Sequence, residues 1–131
     1  MAYEGPLTCI PGLVAGADLS AAANQYKFVK LSAAQTVVLC AAVTDKPIGI
    51  LQNTPASGEA ATVACAGVSK VQGDVDLAFG NSVGTSADGQ AAVYTAADTT
   101  KFIVGQVILD NSAAAGLATI AFDCTAVRTL A

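Results

Sequence analysis

The strongest constraint on the fold is a series of short runs rich in β-forming residues, each ended by Gly, Pro, Asn, Asp or Ser. The run 117–124 is the clearest, because Ile120, Phe122 and Cys124 alternate with other side chains in the period of two that is typical of a strand with one buried face. Runs of the same kind occupy residues 26–31, 36–40, 47–51, 61–71, 74–77, 91–94 and 102–109.

This spacing of strands and turns is typical of a mainly β domain with antiparallel strands, either a β-sandwich or a small β-barrel. A single compact domain is predicted, because 131 residues fall within the commonest size range for one domain. Residues 21–24, which follow Ser20, suffice for one helical turn, and no longer helical pattern is present. We therefore assign residues 19–131 to the β domain.

Residues 1–18 differ from the rest of the chain. They contain two prolines and three glycines and follow neither a strand period nor a helix period. Apolar side chains such as Leu7, Ile10 and Leu13 are unsuited to a solvated tail. We predict an extended N-terminal arm over 1–18 that lies either on its own domain or on a neighbouring molecule.

Two stretches of the chain resemble each other. Residues 48–65 contain Ile-Gly-Ile-Leu-Gln-Asn, then a Gly, then Ala-Thr-Val-Ala-Cys, and residues 104–121 contain Val-Gly-Gln-Val, an Asn, a Gly, then Ala-Thr-Ile-Ala. The Asn-to-Gly spacing is the same in both. The pattern predicts one hairpin unit used twice, and chance similarity in an alanine-rich chain is the alternative.

Charge and composition exclude several functions. Charged residues are 12% of the chain and the net charge is −4, with the six bases scattered along the sequence, so a nucleic-acid partner is not expected. Histidine is absent, which removes the commonest general base and metal ligand. No signal peptide or membrane-spanning run is recognisable. So few charges on an alanine- and valine-rich surface predict burial against other subunits, that is, self-association.

Four cysteines allow either of two interpretations. In an oxidising compartment they could form two disulfides in three possible pairings, but Cys9, Cys40, Cys65 and Cys124 include no C-x-x-C pair. Cys65 and Cys124 lie in alternating apolar runs, where a free thiol behaves as a small hydrophobic side chain. We therefore favour buried thiols in a reducing cytosol, and we expect no metal site.

Two motifs could carry chemistry. Residues 80–84, Gly-Asn-Ser-Val-Gly, match the nucleophile elbow around Ser82, but that motif needs a following helix and a histidine base. Asp74 and Asp76 could share a cation or a proton, but the residues that follow supply no further oxygen ligands, so a polar strand edge is favoured. We expect neither an enzyme nor a bound cofactor.

The chain from about residue 18 to 124 resembles the small capsid decoration, or cement, proteins of tailed bacteriophages. The resemblance depends on an Asp-Leu-Ser opening to Tyr-Lys-Phe-Val-Lys-Leu, on Pro-Ile-Gly-Ile-Leu-Gln-Asn, on Gly-Glu-Ala-Ala-Thr-Val-Ala-Cys-Ala-Gly-Val, on Gly-Asn-Ser-Val-Gly-Thr-Ser-Ala-Asp-Gly-Gln, and on the closing Val-Gly-Gln-Val. It implies a virion protein, made in the host cytoplasm, that binds the outer surface of an icosahedral capsid, commonly as a trimer, and stabilises the lattice of the major capsid protein.

Because their Pro and Gly residues prevent regular structure, we predict that residues 1–14 are mobile in the isolated protein and become ordered on the capsid. Deletion of the arm should weaken attachment more than folding. The predicted capsid-binding residues are Tyr3, Pro6, Leu7, Ile10 and Leu13. The alternative is an extracellular structural or adhesin-like β domain whose cysteines form disulfides. A count of free thiols distinguishes the two. Neither hypothesis includes a membrane partner.

Overall fold

Strands dominate the computed structural model, which describes residues 2–95, 100–111, 116–124 and 128–129. A single 3₁₀ turn at Ala22–Asn24 is the helical structure of this described part, so the predicted helical turn is confirmed. The strands are β1 (Leu7–Ile10), β2 (Val14–Ala15), β3 (Phe28–Ala33), β4 (Thr36–Leu39), β5 (Gly49–Leu51), β6 (Val63–Gln72), β7 (Ser82–Thr85), β8 (Ala91–Val93), β9 (Phe102–Ile103), β10 (Gly105–Leu109), β11 (Leu117–Asp123) and β12 (Arg128–Thr129).

Ten strands form one sheet, in the order β2-β4-β3-β5-β6-β11-β10-β7-β8, with β1 paired to β6 outside this order. Strands β9 and β12 form a separate pair. The mainly β prediction is confirmed, but within the described residues the sheet is not closed into a barrel. Single bridges, Val14–Ala60 and Gly73–Ala91, instead bring β2 and β8 back to residues that flank β6.

The sheet contains the same four-strand unit twice. In the first unit β3 pairs with β4 and with β5, and β5 pairs with β6; in the second, β7 pairs with β8 and with β10, and β10 pairs with β11. Antiparallel pairing of β6 with β11 joins the units at the centre. The predicted hairpin repeat corresponds to β5–β6 and β10–β11, so the structure confirms it and extends it to the preceding hairpins.

The pairing register aligns the two units residue by residue. Val29 pairs with Gly49 in the first unit, and Val83 pairs with Gly105 in the second. A Cβ on Gly49 would lie 2.4 Å from the Ala64 carbonyl oxygen, and one on Gly105 would lie in a similar position against β11. The glycine that the two stretches share is therefore needed for close approach of the hairpin strands.

The core consists of two clusters, both built from small and medium side chains. The larger belongs mainly to the second unit and includes Phe28, Val71, Leu77, Val83, Val107, Ile120 and Phe122. The smaller belongs to the first unit and includes Leu13, Ala15, Leu19, Val29, Val37, Leu51 and Val63.

The N-terminal segment lies on its own domain, which decides between the two alternatives left by the sequence. Strand β1 pairs with β6 from Leu7–Gly67 to Ile10–Val63, and Ala15 is buried in the smaller cluster. Residues 2–18 therefore pack as part of the β domain and are not separated from it at residue 18. Removal of residues 1–18 is now expected to destabilise the fold, because it would remove core side chains and a strand.

Two local predictions need correction. Residues 74–77 are not a strand, because the Leu77 N–H donates to the Asn111 side-chain oxygen (2.7 Å) and the Asp74 N–H to the Ala91 carbonyl. Residues 82–85, by contrast, form β7, a strand that was not among the predicted runs. In the described part of the chain, no helix has the length and apolar character needed to cross a membrane.

Candidate interaction surfaces

The residues predicted to bind the capsid divide into exposed and packed groups. Tyr3 is 47% exposed and Pro6 is also exposed. Leu7 packs against the larger cluster and Ile10 against the smaller one, whereas Leu13 is 5% exposed and belongs to the core. Leu13 is therefore not available for a surface contact in this fold.

The backbone around Tyr3 is fixed to the sheet. Its N–H donates to Oγ1 of Thr119 (2.9 Å), and that hydroxyl donates back to the Tyr3 carbonyl (3.2 Å). The Gly5 N–H donates to the Val68 carbonyl (2.9 Å). The exposed ring of Tyr3 is thus presented by an ordered backbone, which differs from the mobile arm that the sequence suggested.

The motif around Ser82 has a structural explanation. Ser82 lies in β7, where it pairs with Gln106 rather than standing at a strand-to-helix turn. A Cβ on Gly84 would lie 2.2 Å from the Phe102 carbonyl oxygen, so the second glycine of the motif permits close packing. The first, Gly80, has φ +85°, which favours glycine in a turn.

Asp74 and Asp76 lie in an exposed loop and not on a strand edge as predicted. Their positions follow from the bonds that Asp74 and Leu77 make through the backbone. In the described ranges, no three Cys, Asp or Glu side chains are grouped as they would be in a metal site.

Three of the four cysteines are buried, as predicted for Cys65 and Cys124, and Cys9 is exposed on β1. All four are free thiols. Burial raises the pKa of Cys40 to about 12, against a smaller opposing effect of its hydrogen bond with Thr85. Burial, with the nearby Cys65, also raises the pKa of Cys124. Such neutral, enclosed thiols are unsuited to nucleophilic chemistry.

An ion pair fixes the loop after β4. Asp45 accepts from Nζ of Lys30 (2.8 Å) and from the N–H groups of Ala41 (2.8 Å) and Ala42 (3.0 Å). Partial burial opposes ionisation of Asp45, but these three donors outweigh it and lower its pKa. The group is structural, because its donors come from the loop and its neighbouring strand.

The most exposed large apolar side chain of the described residues is Phe79, at 76%. It lies in a turn before β7 in which five successive backbone N–H groups, from Leu77 to Asn81, donate hydrogen bonds. The donors and acceptors are Leu77 to Asn111 Oδ1 (2.7 Å), Ala78 to Asn81 Oδ1 (2.9 Å), Phe79 to Asp110 Oδ1 (2.7 Å), Gly80 to the Val107 carbonyl (2.8 Å) and Asn81 to the Ala78 carbonyl (3.1 Å). The ring is therefore exposed on a fixed backbone.

We call the surface formed by residues 74–81 and 105–111 the Phe79 surface. Besides Phe79 it exposes Val75 and Ile108. Asp74, Asp76 and Asp110 supply its charges, and neither segment contains Lys or Arg. It is thus an apolar surface with acidic neighbours.

Sequence reasoning missed this surface because residues 74–77 looked like a strand. One signal was available: an aromatic residue directly before Gly-Asn, a turn dipeptide, in a chain with only 5% aromatic residues. A turn position gives a bulky ring little opportunity for burial. Only the bonds to Asn111 and Asp110, more than 30 positions away, show that the turn is also rigid.

No protein-family model and no curated protein match the sequence. Solved structures do match the fold. One is the head fiber gp8.5 N base of bacteriophage phi29, with a TM-score of 0.63 and 15% identity over 86% of this chain and 91% of that one. Another is a chain from the capsid of Myoviridae phage XM1, with a TM-score of 0.57 and 18% identity over 91% of this chain and 84% of that one.

These likenesses extend over most of each chain, so they concern the whole domain and not one hairpin. The resemblance to phage head proteins that the sequence predicted is confirmed at the level of the fold.

Proposed function

We propose that this chain is a structural protein of a tailed phage head, where it binds the outer surface of the capsid and stabilises the lattice of the major capsid protein. The observation that carries the proposal is the fold shared with the phi29 head fiber base and with a chain of the XM1 capsid. A fold alone does not determine function, so the surface chemistry has to agree with the proposal.

The surface chemistry agrees in two respects. A role in binding rather than catalysis is supported by the position of Ser82 in a strand and by the buried thiols of Cys40 and Cys124, whose pKa values are raised. The exposed side chains of Tyr3 and Phe79, each on a fixed backbone, offer apolar contacts. Repetition on a symmetric shell multiplies contacts of this size into strong attachment.

We further propose that the protein is a homotrimer. The support is the low charge content, 12%, which favours burial of apolar surface between copies, together with the family resemblance of the sequence. Light scattering at several protein concentrations tests this, and a monomer at every concentration, both free and bound to particles, would contradict it.

The decisive experiment uses particles of the phage that encodes this chain, made with its gene deleted. Added protein should co-sediment with these particles and saturate at a number of copies set by capsid symmetry. It should also raise the temperature at which the particles release their DNA. Protein that remains in the supernatant at micromolar concentration would refute the proposal.

A further inference from the structure

The two units of the sheet provide an internal comparison for the Phe79 turn. The Gly80 N–H donates to the Val107 carbonyl, and in the first unit the Tyr26 N–H donates to the Leu51 carbonyl (2.8 Å). Both Gly80 and Tyr26 have positive φ, +85° and +68°. The two turns are therefore equivalent, and the residue that corresponds to Phe79 is Gln25.

Gln25, unlike Phe79, is hydrogen-bonded through its side chain to a neighbouring part of the sheet. It is partly buried, its Nε2 donates to the Gln52 carbonyl (2.8 Å), and its own carbonyl accepts from Nε2 of Gln72 (2.8 Å). The fold thus forms this turn with a polar residue that is bonded to neighbouring strands. An aromatic ring, 76% exposed at the equivalent place, is not needed to make the turn.

Rigidity of the turn favours a role in binding. A ring on a mobile loop loses conformational entropy when a partner orders it, but the five bonded N–H groups from Leu77 to Asn81 have already fixed this backbone. Aromatic residues, Phe among them, are enriched in the buried cores of protein interfaces, and a few such residues carry most of the binding energy.

The surrounding charge defines the partner. Asp74 and Asp76 precede Phe79 in the same loop, and Asp110 accepts a hydrogen bond from the Phe79 N–H. Neither segment of this surface contains a base, while four of the six bases of the chain lie between residues 27 and 70. A complementary surface therefore has an apolar pocket with Lys or Arg at its rim. We propose that Phe79 inserts into such a pocket on the outer surface of the capsid shell. This inference rests on the proposed function and adds the contact residue and the chemistry of the partner.

The test compares four proteins on particles that lack this chain: wild type, Phe79→Gln, Leu31→Gln and Asp76→Asn. Phe79→Gln introduces the residue found at the equivalent turn, so the turn should form as before. Leu31→Gln is the matched control, because Leu31 is 51% exposed and lies in the part of the chain that carries bases. Thermal unfolding of each variant shows whether the fold is unchanged.

We expect Phe79→Gln to weaken binding by at least about tenfold, as loss of a central interface aromatic does, and Leu31→Gln to change it by less than about threefold. Asp76→Asn should flatten the salt dependence of binding, because it removes a complementary charge. Binding of Phe79→Gln at wild-type affinity would overturn the inference while the proposed function stood.

Other outcomes are equally informative. If Phe79→Gln changes the oligomeric state but not the affinity for particles, the surface is an interface between copies and the inference is wrong. If wild-type protein does not bind particles at all, the proposed function fails and this inference fails with it. Equal losses for Phe79→Gln and Leu31→Gln would also contradict a specific pocket for Phe79.

Discussion

Replacement of Leu13 by alanine is predicted to destabilise the domain by about 3–4 kcal/mol. Leu13 is 5% exposed in the smaller core cluster, so the change removes nearly its full transfer free energy, about 2.4 kcal/mol for three carbon atoms. The cavity left behind adds to this. The neighbouring backbone cannot close it easily, because the Leu13 carbonyl accepts from Ala61 and the Val14 N–H donates to Gln35.

Thermal and urea unfolding measure this loss. For a domain of this size, 3–4 kcal/mol lowers Tm by roughly 10–20 °C. Tyr3→Ala is the control, because Tyr3 comes from the same segment but is 47% exposed, so its replacement should cost only about 1 kcal/mol. The pair separates a structural role of the segment from a binding role.

The reasoning would be refuted by a Leu13→Ala protein that unfolds like wild type. Such a result would mean that residues 1–18 detach from the sheet in solution. If that protein also lost binding to phage particles, the segment would be the mobile capsid anchor that the sequence first suggested.

Three further predictions follow from local geometry. Asp45→Asn should reduce the free energy of unfolding at neutral pH, as measured by urea unfolding. Because the folded-state pKa of Asp45 is lowered, the difference between the variant and wild type should shrink as the pH falls from the unfolded-state pKa, about 3.9, through the lower folded-state value. Gly49→Ala should lower Tm sharply, because its Cβ would lie 2.4 Å from a carbonyl oxygen that belongs to β6; an unchanged Tm would show that β5 can move away. In unreduced native protein, a thiol reagent should modify Cys9 at once and Cys40 and Cys124 only on unfolding; rapid reaction of all four cysteines would contradict their burial.

Strands with strong local signals were predictable from the sequence. The 61–71 run became β6 (Val63–Gln72) and the alternating 117–124 run became β11 (Leu117–Asp123). The first is a long run of β-forming residues, and the alternation of the second specifies its buried face, so neither prediction needed knowledge of the partner strand. The repeated Gly, Asn and Ala-Thr positions likewise predicted both hairpins.

The missed strands depend on contacts distant in sequence. β1 contains only four residues between a proline and a Pro-Gly pair, and its pairing with β6 joins residues more than 50 positions apart. β7 includes Gly84, a residue depleted in strands, which is required here by the approach of the Phe102 carbonyl. Residues 74–77 have an alternating pattern but do not form a strand, because the Leu77 N–H donates to the Asn111 side chain. In each case a tertiary contact overrode the local preference.

The Phe79 surface could not be predicted for a related reason: it is recognised only by comparing equivalent positions in the two units. Gln25 and Phe79 occupy the same position in the two units, yet the first is bonded inward and the second is exposed. Once the register is known, features that both units share, such as Gly49 and Gly105, are explained by the fold. A feature that only one unit has needs another cause, and an exposed ring on a rigid, acidic turn is most simply explained by a partner that covers it.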